Sequence, residues 1–356
     1  MSASMVPSVL LKANSDSRDG WISPRARACA LGLLATALFA CSTGGAAARE
    51  PDAKAPAGEC SSGSQLKIHV YDVGQAAAAL VELPDGRAIL VDAGGHKTAL
   101  APKLEADLHG RPITMVWITH PHDDHINQLK AVLKHFKVET YVDNGFDGGT
   151  PSKKSQGGMG HRMRVEAAGA GATVVSASEG GLRVPIPNSK TVTLSAVAPA
   201  RWSHSCATGN ANNCSLGLRI DYCGSSILFL GDAEADEEAN LPLKPASLLV
   251  VPHHGSRTST SQHLLDAVRP KYAVISAGRN SQFCHPNGGT VARLSAAIGG
   301  PAAATPVQVG GVSDRACGWA EASRSAQVWV TAADGDVVLV TEGGGAFRRE
   351  IKKAGP

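Results

Sequence analysis

A cluster of histidines and aspartates at residues 119–125, with the sequence THPHDDH, most constrains how this chain folds. The apolar run at 113–119 is typical of a buried strand, and apolar residues then follow at helical spacing, at Ile126, Leu129, Leu133 and Phe136. Residues two apart on an extended chain point the same way, so His120 and His122 can share one ion, while the last two residues point to another position. One aspartate can be a helix N-cap, but chance or packing explains the whole cluster poorly. Imidazole and carboxylate suit zinc, manganese or iron, so the cluster predicts a metal site.

Strands alternate with helices from residue 67 onward, and no internal linker divides this region. Apolar residues make up 43% of the chain and charged residues 18%, which predicts a folded core and excludes a disordered protein. Strands are predicted at 67–73, 77–83, 87–92, 113–119, 138–142, 173–176, 191–198, 216–222, 227–231, 248–252 and 272–276, helices at 126–136, 234–241 and 262–268, and a terminal hairpin at 326–331 and 337–341. We therefore expect one α/β domain with packed sheets.

The N-terminal part has the composition of an export signal and a tether. Arg25 and Arg27 precede an uncharged apolar stretch at 28–40, which is too short to span a bilayer and has the length of a signal-peptide core. The stretch ends at Cys41 in a pattern that resembles the lipobox of bacterial lipoproteins, in which the cysteine is lipidated. Cleavage near residues 46–48 to give a soluble secreted protein, or an uncleaved anchor, are the alternatives. The interpretation is a signal peptide at 1–40, a tether at 41–64, a folded domain at 65–345 and a polar tail at 346–356.

Beyond the lipidation candidate Cys41, six cysteines remain, at Cys60, Cys206, Cys214, Cys223, Cys284 and Cys317. An even number fits disulfides formed in an oxidising compartment, although some can equally be small buried apolar residues. Their spacing matches no zinc-finger pattern. Cys206 and Cys214 share one loop rich in glycine and asparagine and are the preferred pair, whereas the remaining connectivity is left open.

Further segments resemble the metallo-β-lactamase superfamily, in which His-x-His-x-Asp-His follows a strand. The matches extend in order over most of residues 66–342 and are most similar to stand-alone relatives of the hydrolase domain of ComEC competence proteins. The matching segments are 71–75, 90–94, 212–216, 229–234, 252–256 and 275–280, followed by 285–286. The resemblance implies a four-layer αβ/βα sandwich, the metallo-β-lactamase fold of the α/β (α+β) class.

The resemblance also implies two divalent metal ions, zinc or manganese. They are held by His120 and His122 in one site, by Asp124 and His125 in the other, and by Asp232 between them. One residue of the pair His253 and His254 joins the second site, with His254 favoured. Asp92 buttresses the ligand loop. Such ions lower the pKa of water and clamp the attacking and leaving oxygens, and Asp124 is expected to orient the hydroxide.

Four residues are candidates for contacting the substrate or protonating the leaving group, namely His253, Ser215, Asn213 and His285. A structural role is the alternative for His285. The superfamily usually supplies a further histidine to the first site, so this ion is under-liganded here unless His204 assists. Gln75 is followed by two alanines where the family has a glycine and a polar residue, which leaves substrate preference open. Lys153 and Lys154 either meet an anionic substrate or are simply solvated.

These features predict an exported, metal-dependent hydrolase of phosphoester or phosphodiester bonds. The ComEC resemblance suggests single-stranded DNA, but a formal net charge of +3 provides no polybasic surface, so a smaller phosphodiester is equally compatible. Ester, lactone or β-lactam hydrolysis, or a catalytically silent metal-binding lipoprotein of the envelope, are the alternatives. The expected location is periplasmic, anchored by a lipid on Cys41 or soluble, with Ser42 favouring the outer membrane. No apolar run reaches about 18–20 residues, which argues against a polytopic membrane protein, and no protein partner is indicated.

Overall fold

The computed structural model describes residues 63–95, 98–146, 156–177, 188–278, 283–313 and 316–351. The predicted signal peptide, the lipidation candidate Cys41, Cys60, and the loop residues Lys153 and Lys154 lie outside these residues. Within the described ranges, no helix has both the length and the hydrophobicity that a bilayer crossing requires.

Sixteen strands and nine α-helices form in the described residues. The strands are β1 Leu66–Val70, β2 Ala78–Glu82, β3 Ala88–Ala93, β4 Ile113–Trp117, β5 Val138–Asp143, β6 Thr173–Ser176, β7 Val192–Val197, β8 Gly217–Tyr222, β9 Ser225–Phe229, β10 Leu248–Val250, β11 Tyr272–Ile275, β12 Val307–Ser313, β13 Ala316–Ala322, β14 Val328–Val330, β15 Val337–Thr341 and β16 Arg348–Glu350. The helices are α1 Leu100–Leu108, α2 Asp123–Ile126, α3 Leu129–His135, α4 Gln156–Gly169, α5 His204–Ala207, α6 Ala235–Glu238, α7 Gln262–Val268, α8 Gly288–Ile298 and α9 Thr331–Asp334. Two short 3-10 turns, at Ala211–Cys214 and Pro252–Gly255, carry candidate site residues.

The strands form two large sheets and one ribbon. The first sheet has eight strands in the order β16-β15-β1-β2-β3-β4-β5-β6, and the second has six in the order β14-β11-β10-β9-β8-β7. Strands β3 to β6 run parallel, as do β9, β10, β11 and β14. Strands β12 and β13 pair antiparallel as a separate two-stranded ribbon. Because parallel neighbours need crossover connections, helices lie between most of these strands.

The inner strands of the two large sheets, such as β3 and β9, are buried on both faces, which explains why they are apolar along most of their length. Alternate residues of β1, such as Leu66 and Ile68, share the core between the sheets with Leu218 and Phe229 of the second sheet. Helices α1 and α3 pack on the outer face of the first sheet, and α7 and α8 on that of the second. The layers are therefore helix, sheet, sheet and helix, which confirms the predicted four-layer αβ/βα sandwich.

Two predictions about connections are wrong. The helix predicted over 126–136 is divided into α2 and α3, because the N–H of Gln128 donates to Ala93 O of β3. The predicted terminal hairpin does not form: β14 pairs in parallel with β11, whereas β15 pairs antiparallel with β1 in the other sheet. Helix α9, closed by a bond from Val330 N–H to the Asp334 carboxylate (2.8 Å), turns the chain from one sheet to the other. Strand β16 then extends the first sheet into the segment interpreted as a polar tail.

The parallel strands bring their carboxyl ends to one edge of the sandwich, where ligands of open α/β sheets usually bind. Strand β4 leads into the 119–125 cluster, β9 into residues 230–234, and β10 into the 3-10 turn Pro252–Gly255. Side chains that are distant in sequence therefore meet at this edge.

Candidate metal centre

Six side chains converge in two groups at this edge. The first group is His120, His122 and Asp232, and the second is Asp124, His125 and His254. Within each group, one ligand atom from each residue lies within 4.8 Å of the others. These are the six residues for which the sequence predicts metal binding. Of the histidine pair that the sequence left open, His254 belongs to the second group.

Local backbone geometry explains how residues that are neighbours in sequence come to lie in different ligand groups or outside them. His122 is extended (φ −71°, ψ 151°) and α2 begins at the next residue, so Asp124 and His125 project from a helical turn rather than from a strand end. His253 and His254 both have left-handed backbone, with φ of 51° and 52°. In this unusual turn, His254 reaches the second ligand group, and His253 remains outside both groups.

Outer hydrogen bonds orient the two histidines of the second group. Asp92, which has a left-handed φ of 57°, accepts hydrogen bonds from Nδ1 of His125 (2.7 Å) and from the backbone N–H of Thr119 (2.8 Å). Nδ1 of His254 donates to the carbonyl of Ser276 (2.8 Å). When both rings are neutral, the proton on Nδ1 leaves a lone pair on each Nε2, and the two Nε2 atoms lie 3.3 Å apart. Asp92 thus contacts the ligand loop as a buttress would, and such outer partners tune metal-binding histidines.

The first group is supported from behind by Ser215. Nε2 of His120 lies 2.8 Å from Nδ1 of His122 and 3.7 Å from Oδ2 of Asp232. The Ser215 hydroxyl accepts a hydrogen bond from the backbone N–H of Asp232 (2.9 Å) and lies 3.4 Å from Nδ1 of His120. Ser215 therefore links the strand end after β9 to a ligand that follows β4.

Asp232 lies between the two groups, and its surroundings fit cations. Its Oδ1 is buried without a hydrogen-bond partner, 3.1 Å from Nε2 of His125 and 3.7 Å from Nε2 of His254. Buried carboxylate oxygens normally have a partner, and here either protons or cations between Oδ1 and the two facing nitrogens can supply it. A cation in each group would satisfy the carboxylate and the nitrogens together. The nitrogen and oxygen donor set is of the type that binds zinc or manganese.

The pKa values in the centre follow from this crowding. Burial raises the pKa of Asp232, but His125 and His254 outweigh burial and hold it well below its usual value. Burial lowers the pKa of His125, but Asp232 and Asp92 outweigh burial and raise it well above its usual value. Burial and the neighbouring histidines lower the pKa of His285 to about 3. Asp232 is therefore ionised, and His285 neutral, around neutral pH.

An open cavity of about 520 Å³, the central cavity, borders both ligand groups. It is lined by His122, Asp124, Asp232 and His254 from those groups, and by Gln75, Asp123, Asn212, His253, Phe283 and His285. His253 and His285, two of the predicted substrate contacts, are among these residues. The volume suits a small ligand or a short segment of a polymer.

The other two predicted substrate contacts, Asn213 and Ser215, are buried and are not among the residues that line the central cavity. Asn213 is fully buried; its Oδ1 accepts from the N–H of Glu234 (2.9 Å), and its Nδ2 donates to a serine hydroxyl (3.0 Å). Ser215 is 1% exposed and engaged with the ligands. The neighbouring Asn212 lines the cavity instead, with Nδ2 3.3 Å from Nε2 of His253.

Glu234 is a residue whose part in the site the sequence analysis missed. Its carboxylate accepts hydrogen bonds from Asn210 Nδ2 (2.9 Å) and Thr258 Oγ1 (2.9 Å) and lies 3.5 Å from Nδ1 of His253. It therefore ties the loop before β8 to the turn after β10. Its position two residues after Asp232 was the available signal, since residues at the same strand end share one edge of the sheet.

Gln75 and Phe283 also border the central cavity without a role assigned from the sequence. Gln75 is 5% exposed, whereas Phe283 is 49% exposed and its ring is stacked on His285 with centroids 6.0 Å apart. A lone glutamine or aromatic residue carries no such signal in a single sequence. His204, suggested as a further ligand, is exposed and belongs to neither ligand group found among the described residues.

Two disulfides anchor segments that border the centre. Cys206–Cys214 confirms the preferred pair and closes the loop just before Ser215. Cys284–Cys317 joins the residue before His285 to β13. Both segments are therefore held covalently near side chains of the site.

The fold, the two ligand groups and the order of their motifs define a class. The chain belongs to the metallo-beta-lactamase superfamily, whose sequence model matches residues 71–279. Members of this superfamily are generally metal-dependent hydrolases, and the fold typically binds divalent metals through clusters of histidine and aspartate.

Particular relatives lie among competence and recombination proteins. ComE operon protein 3 of Bacillus subtilis (strain 168) is 28% identical over 247 residues, which cover 63% of this chain and 30% of the relative. Recombination protein 2 of Haemophilus influenzae is 29% identical over 265 residues, which cover 70% of this chain and 29% of the relative. The matched segments thus span less than a third of either relative. The ComEC-type resemblance inferred from the motifs is confirmed.

Among solved structures, this chain is similar to the metallo-beta-lactamase fold protein YhfI from Bacillus subtilis. It is 14% identical, with a TM-score of 0.35, over 52% of this chain and 70% of YhfI.

Proposed function

We propose that this protein hydrolyses phosphodiester bonds outside the cytoplasm with two divalent metal ions, zinc or manganese. The observation that carries the proposal is the position of Asp232, whose two carboxylate oxygens lie between the ligand groups at the wall of the central cavity. A carboxylate that reaches both groups is the arrangement expected of a binuclear site. Two ions there would lower the pKa of water and neutralise charge on the attacking and leaving oxygens.

The side chains around the central cavity are suited to bind an anionic substrate. Asn212 and His285 offer nitrogen donors at the cavity wall, which His253 also lines. Hydrogen bonds to charged oxygens are stronger than those between neutral groups, so these donors suit phosphate oxygens. Burial raises the pKa of Asp124, but His254 outweighs burial and holds it well below its usual value. Asp124 therefore stays ionised and can orient a water molecule through its carboxylate.

Single-stranded DNA is the first polymer to test. The name of the Haemophilus relative, Recombination protein 2, supports DNA as the substrate class. The low net charge of +3 is equally compatible with a smaller phosphodiester, because tight DNA binding usually depends on many basic contacts. A labelled single strand and a small nucleotide diester, each assayed with and without a chelator, separate the two substrates.

Export and lipid anchoring form the second half of the proposal. The apolar stretch at 28–40 and the lipobox-like pattern before Cys41 support an envelope lipoprotein, and the two disulfides support an oxidising compartment. We expect the wild type in the membrane fraction, favouring the outer membrane, and Cys41→Ala in the soluble fraction. Cys29→Ala, within the signal segment, is the matched control. A Cys41→Ala protein that stays with the membranes would contradict lipidation at this residue.

Metal content and turnover test the catalytic half. We expect about two zinc or manganese ions per chain in the purified protein, with chelator-sensitive hydrolysis of bis(p-nitrophenyl) phosphate. Asp232→Asn should lose both bound metal and turnover, whereas Asp221→Asn on the surface of β8 should keep both. Hydrolysis of a chromogenic cephalosporin in place of the diester would refute phosphodiester specificity. Two bound ions without turnover on any of these substrates would refute the enzyme and favour a metal-binding lipoprotein.

A further inference from the structure

Gln75, in the loop between β1 and β2, bridges a backbone amide and the ring of His285. Its Nε2 lies 3.3 Å from Nδ1 of His285, and its Oε1 accepts a hydrogen bond from the backbone N–H of Gly278, also at 3.3 Å. Because a backbone N–H can only donate, the amide oxygen must face Gly278 and the NH2 group must face His285. The orientation of the amide is therefore set by the protein backbone.

The amide in turn determines which nitrogen of His285 carries the proton. An NH2 group can only donate, so Nδ1 must accept, and a neutral ring then carries its proton on Nε2. In the described part of the chain, the hydrogen bond of the His285 ring is the one at Nδ1, and the ring borders the central cavity. His285 therefore presents an N–H donor to the contents of that cavity.

The surrounding structure holds this arrangement in place. A Cβ atom on Gly278 would lie 2.3 Å from the backbone N of Gln75, so the two backbones make a contact that only glycine permits. The carbonyl of the residue after Gln75 accepts a hydrogen bond from Ser276 Oγ (2.9 Å). The ring of His285 lies nearly parallel to that of Phe283, at an angle of 26°. Both partners of the Gln75–His285 bond are thus fixed by their own neighbours.

We propose that Gln75 is a positioning residue that keeps the Nε2–H of His285 available to donate a hydrogen bond to a substrate oxygen that gains negative charge in the transition state. The substrate part rests on the proposed phosphodiester activity, whereas the position of the proton on His285 does not. This role differs from protonation of the leaving group, because a neutral N–H donor stabilises negative charge without giving up its proton.

Two-bond ¹⁵N–¹H correlation spectra of the histidine rings test the proton position in the purified protein. His285→Ala identifies the His285 signals by their loss, and we expect the wild-type ring to be protonated on Nε2. In Gln75→Glu, the carboxylate can only accept, so the ring should become protonated on Nδ1. A wild-type ring protonated on Nδ1, or an unchanged ring in folded Gln75→Glu, would overturn the proposal. If Gln75→Glu does not fold, Gln75→Met is the second variant, and its His285 ring should be a mixture of the two tautomers. A His285 ring protonated only on Nε2 in Gln75→Met would equally overturn the proposal.

Kinetics on bis(p-nitrophenyl) phosphate test the substrate part. Gln75→Glu should lower kcat by about 100-fold with a much smaller change in KM, because the donor acts on charge that develops in the transition state. In a His285→Ala background, the same substitution should have almost no further effect, since it acts through His285. Fully additive losses would refute the positioning role.

A matched control variant, and the possible result that the wild type is inactive, separate the proposed proton position from the proposed activity. Gln65→Glu makes the same change at an exposed site just before β1 and should leave both the tautomer and kcat unchanged. A wild type that shows the Nε2–H tautomer but cleaves no phosphodiester would refute the proposed function and the substrate part together, and would support the assignment of the proton.

Discussion

Replacement of Asp92 by asparagine tests how the second ligand group is oriented. Asp92→Asn keeps the size of the side chain and one oxygen that accepts from the N–H of Thr119, 2.8 Å away in the native protein. The new NH2 group then faces Nδ1 of His125, which lies 2.7 Å from the native Oδ2. Two N–H donors cannot pair, so His125 must move its proton to Nε2, the atom that faces the ligand group. The nitrogen that would bind the ion is then blocked.

The magnitude follows from burial. Asp92 is 3% exposed and His125 only 1%, so water cannot replace the lost hydrogen bond. Loss of an outer partner typically weakens metal binding by about 10- to 100-fold, which corresponds to about 1.4 to 2.7 kcal/mol. The metal-free protein also loses a hydrogen bond to a charged group, so its free energy of unfolding should fall by about 1.5 to 3 kcal/mol.

Competition with a chromophoric zinc chelator measures the affinity, and urea unfolding of chelator-treated protein measures the stability. Asp143→Asn is the matched control, because Asp143 is 2% exposed and binds Arg164 (2.8 Å) away from both ligand groups. It should lose stability and keep its affinity for zinc. A folded Asp92→Asn protein that binds zinc as tightly as the wild type would refute the reasoning, and so would an equal loss of affinity in Asp143→Asn.

Three further predictions concern residues outside the ligand groups. Replacement of Cys284 and Cys317 by serine should lower the free energy of unfolding, measured in urea, by about 3 to 4 kcal/mol, because the disulfide joins residues 33 positions apart in the sequence. A loss below about 1 kcal/mol would contradict this. Burial lowers the pKa of His69, but Asp107 and Glu82 outweigh burial and raise it. The ion pairs of protonated His69 with these carboxylates therefore stabilise the fold fully below about pH 6.5, and this stabilisation is lost as pH rises through the folded-state pKa. Unfolding curves over this range should lose that pH dependence in His69→Gln, and an unaltered dependence would refute the assignment. Gly278→Ala should lower the free energy of unfolding by about 2 kcal/mol or more, because its Cβ would lie 2.3 Å from a backbone nitrogen. Thermal unfolding checks this against Gly169→Ala, where a Cβ would meet no atom within 4 Å, and equal losses in the two variants would contradict the prediction.

The ligand groups could be predicted because their residues follow apolar runs that read as strands. His120, Asp232 and His254 stand just after β4, β9 and β10, and parallel strands bring such ends to one edge. The distinction between Asn212 and Asn213 could not be predicted in this way. Both lie in a 3-10 turn whose orientation depends on a hydrogen bond to the distant Glu234 carboxylate and on a disulfide, and neither contact follows from a periodic pattern.

The sequence pattern also could not predict to which sheet each strand belongs. Strands β14 and β15 are buried along their whole length, so each has the composition of a central strand in either sheet. Closeness in sequence favoured a hairpin between them, whereas packing in the two-sheet core placed them in different sheets. Apolar strands without alternation specify that they are buried, and their partners are chosen by tertiary packing.

Each ligand group combines residues that follow a strand of the first sheet with one that follows a strand of the second. His120 and His122 meet Asp232 across this boundary, and Asp124 and His125 meet His254. A bound ion would therefore act as a cross-link that forms only after the two sheets have packed face to face. A chain in which the second sheet is still unfolded has only four of the six ligand residues in place and no complete group. Metal occupancy would thus report that both halves of the sandwich have assembled.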